Sequence, residues 1–432
     1  MPIDKLYIEN IRSFHGAHEI PLKRITLLVG ENSSGKTTIL GTINAINEAG
    51  TVPYMINFNK EPYKFGRFEE IVTKRGGRAG QEKSFSIGIE YDNGHRGDRK
   101  NIILARYINI DGKSIFNNAF ILSSKYAVKF KKEGIEKGRT NFVVCYYVIN
   151  GGIIEKINFS NIEDKIDKLN IKKEFKLIYD ETKNLIQRSG LRYERDYLPI
   201  FDLIYPRSTV FKSLNLAPIR SKPASTYESH LEKYSPEGDH IPYLIERACR
   251  SDIDSKLINS LKEFGKISRL FSNIVAVERG KLPGSLFEIQ IKVNGTRRNL
   301  VYVGYGISQA LPIIVDSLNA ERGTTILMQQ PEVHLHPRAQ AALASALVQI
   351  AKSDDKRFII ETHSDYIIDR IRQEVAKGDI ITNNDVNIIY TEMEGNCSKI
   401  YEITLNDHGD LQNVPPSYRN FFLDEEIKLL TR

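Results

Sequence analysis

The sequence predicts an α/β fold: a phosphate-loop core split into two halves, with an antiparallel β lobe and a mainly helical insertion between them. Three observations predict it. A Gly-rich loop, Gly30-Glu31-Asn32-Ser33-Ser34-Gly35-Lys36-Thr37, sits between an apolar strand-like run and a helix-like run. Alternating β-rich runs separated by Gly, Asn and Asp follow it. Short buried-strand runs alternating with helix-like runs then return in the last 130 or so residues.

Each element follows from its pattern. Residues 3–9 alternate like a half-buried strand, and Glu19 to Leu22 supplies a hairpin partner. Ile25 to Val29 is the strand before the loop, and Thr38 to Ile46 the helix after it. Backbone N–H groups of such a loop wrap a phosphate, and the following helix points its positive end at the negative charge. Lys36 is then placed to reach the β- and γ-phosphates of a nucleoside triphosphate, and the Thr37 hydroxyl to hold Mg²⁺, with Thr38 beside it. Phe85 to Tyr91, Ile102 to Ile110 and Phe142 to Ile149 read as an antiparallel meander. From Ile162 to Arg188 the residues Ile162, Ile166, Leu169, Phe175, Ile178 and Leu185 recur at helical steps and predict one or two amphipathic helices. Pro218 to Pro242, rich in Pro, Ser and Gly, is a long ordered connection; Tyr243 to Phe271 is helical, and Phe287 to Val293 and Leu300 to Val303 are strands. Further strands are expected at Thr325–Met328, Phe358–Glu361, Val386–Thr391 and Lys399–Leu405, with helices at Pro337–Ala351 and Tyr366–Ala376. The organisation is therefore residues 1–120, the first half of the core with the β lobe; 121–215, a basic, partly helical insertion; and 216–432, the second half.

Composition sets the class. A chain of 432 residues, 41% hydrophobic and 27% charged, is ordinary for a folded protein of two or three structural units. No run is long enough for a membrane span, and Met-Pro-Ile-Asp-Lys does not open a signal peptide, so a cytoplasmic location is expected. Cys145, Cys249 and Cys397 lie far apart, as ordinary thiols. Of the net charge of +7, residues 121–200 contribute +5, with 16 Lys/Arg against 11 Asp/Glu. Such a segment can meet nucleic-acid phosphates or an acidic partner, or be a solvated helical face; charge alone leaves the choice open.

Three motifs complete the C-terminal half. Val303-Gly304-Tyr305-Gly306-Ile307-Ser308-Gln309 is a Gly-rich turn that opens a helix near Ser308. Thr325 to Met328 runs into Gln329-Gln330-Pro331-Glu332-Val333-His334-Leu335-His336-Pro337. Phe358 to Ile360 runs into Glu361-Thr362-His363-Ser364. In this order the motifs resemble those of ABC-class ATPases of the OLD-like, RecF-like and SMC-like group. Within it they are similar to stand-alone prokaryotic AAA-type ATPases, many linked to antiphage defence. Pro218-Ile219-Arg220 and Ser235-Pro236-Glu237-Gly238 also match that narrower set. The resemblance covers residues 1–60 and about 215–425, and does not reach residues 121–200.

The resemblance implies an ABC-type ATPase head using ATP and Mg²⁺. Gly30, Asn32, Ser33, Ser34, Gly35, Lys36, Thr37 and Thr38 would hold phosphate, with Thr37 and Gln329 on the metal. Arg12 and Phe14 would contact the nucleoside end, the alternative being a surface Arg and a core Phe. Gly306, Ser308 and Gln309 would serve the γ-phosphate of ATP bound to a second copy, and His363 would sense it. Phe65-Gly66-Arg67-Phe68-Glu69-Glu70 would couple nucleotide to lobe motion. A homodimer or higher oligomer with ATP at the interface follows, together with a separate effector, nuclease or toxin, and DNA contact through the basic insertion.

One departure stands out. The strand before Pro331 normally ends in two acids; here both are amides, Gln329 and Gln330. An amide can orient water but cannot act as a general base. Either Glu332 takes over water activation with Gln330 orienting the water, or hydrolysis is slow and ATP binding sets the state. His334 and His336 have no Cys or carboxylate trio to complete a zinc site. An OLD-like nuclease is the alternative function. It needs a further metal domain, and fewer than 70 residues follow His363, without an Asp-x-Asp pair. The absence of a Leu-Ser-Gly-Gly-Gln signature argues against a transporter subunit.

Overall fold

The computed structural model describes residues 3–48, 56–74, 80–92, 100–123, 126–136, 139–148, 173–180, 185–189, 211–228, 233–250, 255–280 and 286–418, together with positions 162, 166 and 168. The chain forms two compact units, each gathered from distant stretches. One comprises Met1–Leu22, Glu31–Lys212 and Thr391–Ile400; the other comprises Lys23–Gly30, Ser213–Tyr390 and Tyr401–Arg432.

The chain begins with β1 (Ile3–Ile11), β2 (Phe14–Pro21) and β3 (Ile25–Gly30), then α1 (Lys36–Glu48) and a single turn, α2 (Phe68–Ile71). There follow β4 (Ser84–Asp92), β5 (Lys100–Ile110), β6 (Lys113–Leu122), β7 (Tyr126–Glu136), β8 (Arg139–Val148), β9 (Lys173–Asp180) and β10 (Leu185–Ser189). All of these strands except β3 join one antiparallel nine-stranded sheet, in the order β10-β9-β8-β7-β6-β5-β4-β1-β2. From β5 to β8, and from β9 to β10, four residues or fewer separate successive strands, which suits antiparallel pairing of neighbours; β9 pairs with β8 across a longer connection. Asp111 and Gly112, both at positive φ, close the β5–β6 hairpin, as Asp-Gly turns do. The meander expected from the sequence is thus present, with β6 and β7 added to it.

The insertion departs from expectation. Residues 173–180 and 185–189 are strands rather than helix, and β9 pairs with β8 from Tyr146↔Lys173 to Arg139↔Asp180. Phe175, Leu177 and Tyr179 alternate with Lys176 and Ile178, so the run satisfies a period of two as well as a helical step. Sheet pairing decides between them. Ile162 and Ile166, an i,i+4 pair, are helical as expected and lie buried in a cluster with Tyr7, Leu104, Phe120 and Tyr147.

The second unit contains β11 (Ser213–Leu216), α3 (Ile241–Arg250), α4 (Ser255–Ser268), β12 (Asn273–Glu278), β13 (Phe287–Val293), β14 (Thr296–Asn299) and α5 (Tyr305–Asn319). It continues through β15 (Thr325–Gln329), α6 (Pro337–Ser353), β16 (Arg357–Glu361), α7 (Asp365–Lys377), the first half of β17 (Val386–Glu394), the second half of β18 (Cys397–Leu405) and β19 (Leu411–Gln412), the residues Thr391–Ile400 between them belonging to the first unit. Seven strands form a sheet in the order β11-β15-β16-β3-β17-β18-β19, parallel from β11 to β3. The central strands β15, β16 and β3 are apolar on both faces because α5, α6 and α7 bring Leu311, Leu343, Leu347, Ile367 and Ile371 into the same core. A three-stranded sheet, β12-β13-β14, completes the unit. Residues Leu300–Tyr302, expected as a strand, form a 3₁₀ turn: the Asn299 side chain accepts from Val301 N–H at 3.1 Å and stops β14.

The signature helix α5 is fixed at its far end by Lys356, whose ammonium is almost fully buried. It donates to the carbonyls of Ser317 (2.6 Å) and Leu318 (3.0 Å) in the last turn. Burial pushes this ammonium down to about 8, against the attraction of Asp354.

Candidate nucleotide-binding site

In the first unit the loop of residues 31–35 leads directly into α1 at Lys36. Its shape is held internally. Ser34 Oγ donates to Glu31 O at 2.8 Å and lies 2.6 Å from Thr391 Oγ1, and Lys36 Nζ folds over the loop to Glu31 O. Gly35 is required twice over. Its φ is +98°, and an added Cβ would lie 2.4 Å from the Phe14 ring. Phe14 is fully buried, so it takes the core alternative and packs beneath the loop instead of facing a nucleoside. Arg12 lies over the Phe65 ring at 4.5 Å and donates to Lys64 O at 3.2 Å, and partial burial lowers its guanidinium pKa. It thereby ties the N-terminal hairpin to the 65–70 segment, where Glu70 accepts from Arg67 N–H at 2.7 Å at the start of α2. Asn32, Ser33 and Thr37 are exposed, and Thr38 is buried in α1.

In the second unit the expected motif residues gather at the carboxyl ends of β15 and β16. That is the end of an open α/β sheet where ligands bind. Gln329 closes β15 opposite Glu361 in the parallel register, and its Nε2 lies 3.5 Å from Glu361 Oε2. Gln330 leaves the strand at positive φ, its N–H donating to Glu361 O at 2.7 Å. Glu332 turns back onto the neighbouring strand end. Its Oε2 accepts from Thr362 Oγ1 at 2.9 Å and its Oε1 from the backbone N–H of His363 at 2.8 Å. His363 is exposed and precedes Ser364, which caps α7 by accepting from Ile367 N–H.

The Gly304–Gln309 signature opens α5 as expected, with Gly304 as N-cap. Ser308 is nearly buried and donates to Tyr305 O at 2.8 Å; Gln309 is buried. Gly306 allows the chain after β15 to approach: a Cβ there would meet His334 O at 2.9 Å. Tyr305 and His334 meet edge to face at 4.8 Å. His336 caps α6, its Nδ1 accepting from Arg338 N–H at 3.3 Å. Both histidines therefore have packing roles, and among the described residues no three His, Cys, Asp or Glu side chains cluster as a metal site. The Ser235–Gly238 loop is held to α5 through His240. Its Nδ1 accepts from Ser235 N–H, so Nε2 carries the proton and donates to buried Asp316 at 2.8 Å.

Two residues of this unit stand in motifs named above but receive no individual role from the sequence. Glu361 is an acid, 6% exposed, at the end of an apolar strand. Arg220 is 2% exposed, and none of its guanidinium nitrogens has a hydrogen-bond acceptor among the described residues. Burial drives its pKa down to about 10, with Glu332 and Tyr305 acting in the opposite sense. A charged residue inside the 358–361 run was the available signal for the first; nothing local in Pro218-Ile219-Arg220 announces burial.

Mg²⁺ requires oxygen ligands, and in the first unit Thr37, exposed at the start of α1, offers a hydroxyl of that kind. A phosphate loop joined to a parallel sheet whose carboxyl end carries polar motifs defines a P-loop nucleotide-binding protein. Comparison with known proteins agrees. A family profile described as "AAA ATPase domain" matches residues 1–368, and the chain belongs to that family. ATP binding and hydrolysis are the activities this membership brings. No curated protein matches. Among solved structures, an SMC head from Thermotoga maritima is 14% identical over 93% of this chain and 98% of that one, with a TM-score of 0.39. An Smc head with an extended coiled coil, bound to the C-terminal domain of ScpA and derived from Pyrococcus furiosus, is 13% identical over 99% of both chains, with a TM-score of 0.45. An SmcHead bound to the C-winged helix domain of ScpA is 15% identical over 94% and 98%, also at 0.45. No helix among the described residues is long and apolar enough to cross a membrane.

Proposed function

We propose that the chain is a slowly hydrolysing, ATP-operated switch that acts as a homodimer or higher oligomer with ATP held between copies. In this reading Lys36 and Thr37 hold the triphosphate and Mg²⁺ of one copy, while Gly306, Ser308 and Gln309 at the start of α5 serve the γ-phosphate bound by the other. His363 senses that phosphate. The observation that carries slow turnover is the end of β15: two neutral amides, followed by a Glu332 whose two oxygens already accept hydrogen bonds. With both oxygens engaged in holding the turn after β16, Glu332 is poorly free to activate water, and Gln330 mainly orients it.

The switch would act as the ATPase component of a prokaryotic antiphage-defence or DNA-maintenance system, in the cytoplasm, with a nuclease or toxin on another chain. Lys131 and Lys132 on β7 and Lys173 on β9 are the DNA contacts this reading favours; Lys172 lies outside the described residues. Light scattering of the purified protein tests the switch. The mass should double with ATP and Mg²⁺, return with ADP, and stay at one chain for Lys36→Ala. A mass indifferent to saturating nucleotide overturns the reading.

A further inference from the structure

We propose that the tip of the β13–β14 hairpin is a contact for duplex DNA, its cations seated on the phosphates that border a groove. The inference goes beyond the reading above, which seats DNA on β7 and β9 of the other unit. The hairpin is tightly closed and open to its surroundings. Asn294 and Gly295, both at positive φ, close it as a two-residue turn, and an added Cβ at Gly295 would meet nothing within 4 Å. Pairing of β12 stops at Asn273↔Lys292, whereas pairing of β13 with β14 continues to Val293↔Thr296. At this end the sheet therefore narrows to a two-stranded ribbon.

Charge collects here without a counterpart. Lys292 and Arg297 stand directly opposite each other on one face of the ribbon, and like charges so placed destabilise a sheet. Arg298 follows on the other face, opposite Ile291. The Ser272 N–H donates to Lys292 O at 2.9 Å, which brings up the end of α4 with Lys266 and Arg269. Four of these five cations are exposed and Lys292 is partly buried. None of the five charged groups has a carboxylate or hydrogen-bond partner among the described residues. Glu278 and Glu288 stand at the opposite end of β12 and β13, where Arg279 holds Glu288 at 2.7 Å. On α4 the acid nearest in sequence is Glu263, exposed and one turn before Lys266. The negative end of α4 accounts for Lys266 and Arg269, because cations are favoured at a helix C-terminus. That leaves Lys292, Arg297 and Arg298 in need of an outside anion.

Their distribution selects which anion. Cations on both faces of a ribbon match the two phosphate rows that flank a DNA groove, and the major groove, about 12 Å wide, admits a two-stranded ribbon. A guanidinium suits phosphate through its paired N–H donors. A membrane surface or an acidic peptide lying against one face would leave the charge on the other face unused.

The test is fluorescence anisotropy of a labelled DNA duplex titrated with the full chain between about 50 and 200 mM salt. Arg297→Glu/Arg298→Glu should weaken binding by about tenfold or more at the lower salt. The neutral variant Arg297→Gln/Arg298→Gln should flatten the slope of log affinity against log salt by about 1.8, two phosphate contacts at about 0.9 each. Both residues are exposed, so each variant should keep the wild-type urea midpoint. Wild-type affinity and slope in the hairpin variants overturn the proposal. So does a wild-type protein that binds no duplex, or one that binds polyglutamate as tightly as duplex. Lys131→Glu/Lys132→Glu separates the two surfaces. If that pair alone weakens binding, DNA sits on the first unit and the hairpin assignment falls. If the hairpin variants alone do so, the assignment stands and the contact on β7 and β9 falls; losses in both keep both surfaces.

Discussion

Replacing Arg220 with Met should make the protein more stable. The guanidinium is 2% exposed, has no hydrogen-bond acceptor among the described residues, and has its pKa pushed from 12.5 to about 10. A depression of about 2.5 units at about 1.36 kcal/mol per unit makes the folded state roughly 3 kcal/mol less hospitable to the charge than water is. Met fills a similar length without a charge to desolvate, and exchanging buried ionic groups for apolar ones of similar volume is often neutral or stabilising. Glu332 loses a favourable neighbour in the exchange, but its oxygens keep the Thr362 hydroxyl and the His363 N–H, so that loss is the smaller one. A gain of about 1–3 kcal/mol is expected after imperfect repacking. The assay is urea unfolding of the nucleotide-free protein. With a slope of about 3 kcal/mol/M, the midpoint should rise by about 0.3–1 M at constant slope. Arg220→Lys, which keeps the charge, should show no rise. A fall in midpoint for Arg220→Met would mean that the guanidinium is compensated after all, and the reasoning from burial fails.

Other substitutions probe the site. Gly35→Ala combines a left-handed backbone cost of about 1–2 kcal/mol with a collision at the Phe14 ring, so nucleotide binding measured by fluorescence titration should be lost and the melting temperature lowered; near-normal binding would refute the geometry. Gly306→Ala places a methyl 2.9 Å from the His334 carbonyl, which cannot yield without moving the loop after β15. It should abolish ATP-dependent mass doubling while shifting the urea midpoint only slightly, and an unaffected dimer would separate that loop from the interface. Lys356 gives a pH signature. Its folded pKa of about 8 lies below the ordinary 10.5, so between those values the unfolded chain holds more protons and stability should rise with pH. Lys356→Met should remove that contribution to the slope, and an identical slope in both proteins would exclude Lys356 as its source.

The parts of the molecule legible in sequence are those whose chemistry leaves few choices of residue. A loop that wraps phosphate with backbone N–H groups needs glycines and a lysine at fixed spacing, so residues 30–37 stood out. The alternation in β4 and β5 and the apolar runs of β15 and β16 likewise announced a meander and a buried parallel sheet. Strands β9 and β10 are not legible in sequence because Phe175, Ile178 and Leu185 fit a helical step, and only pairing with β8 breaks the tie. Glu361 and Gln329 are 32 residues apart, and their relation exists only once β15 and β16 lie in parallel register. Arg220 was legible as part of a motif, whereas its burial is a property of the surrounding fold.

The carboxylate of Glu332 has a mechanical consequence. It fastens the segment after β15 to the turn after β16, and that same segment touches the start of α5 through His334 and Tyr305. A shift of the His363 backbone therefore pulls on Glu332, then on the His334 turn, and so on the first residues of α5. If copies pair as proposed, a tug at His363 would reach the surface offered to the second copy, a lever short enough to let two nucleotides feel each other's presence.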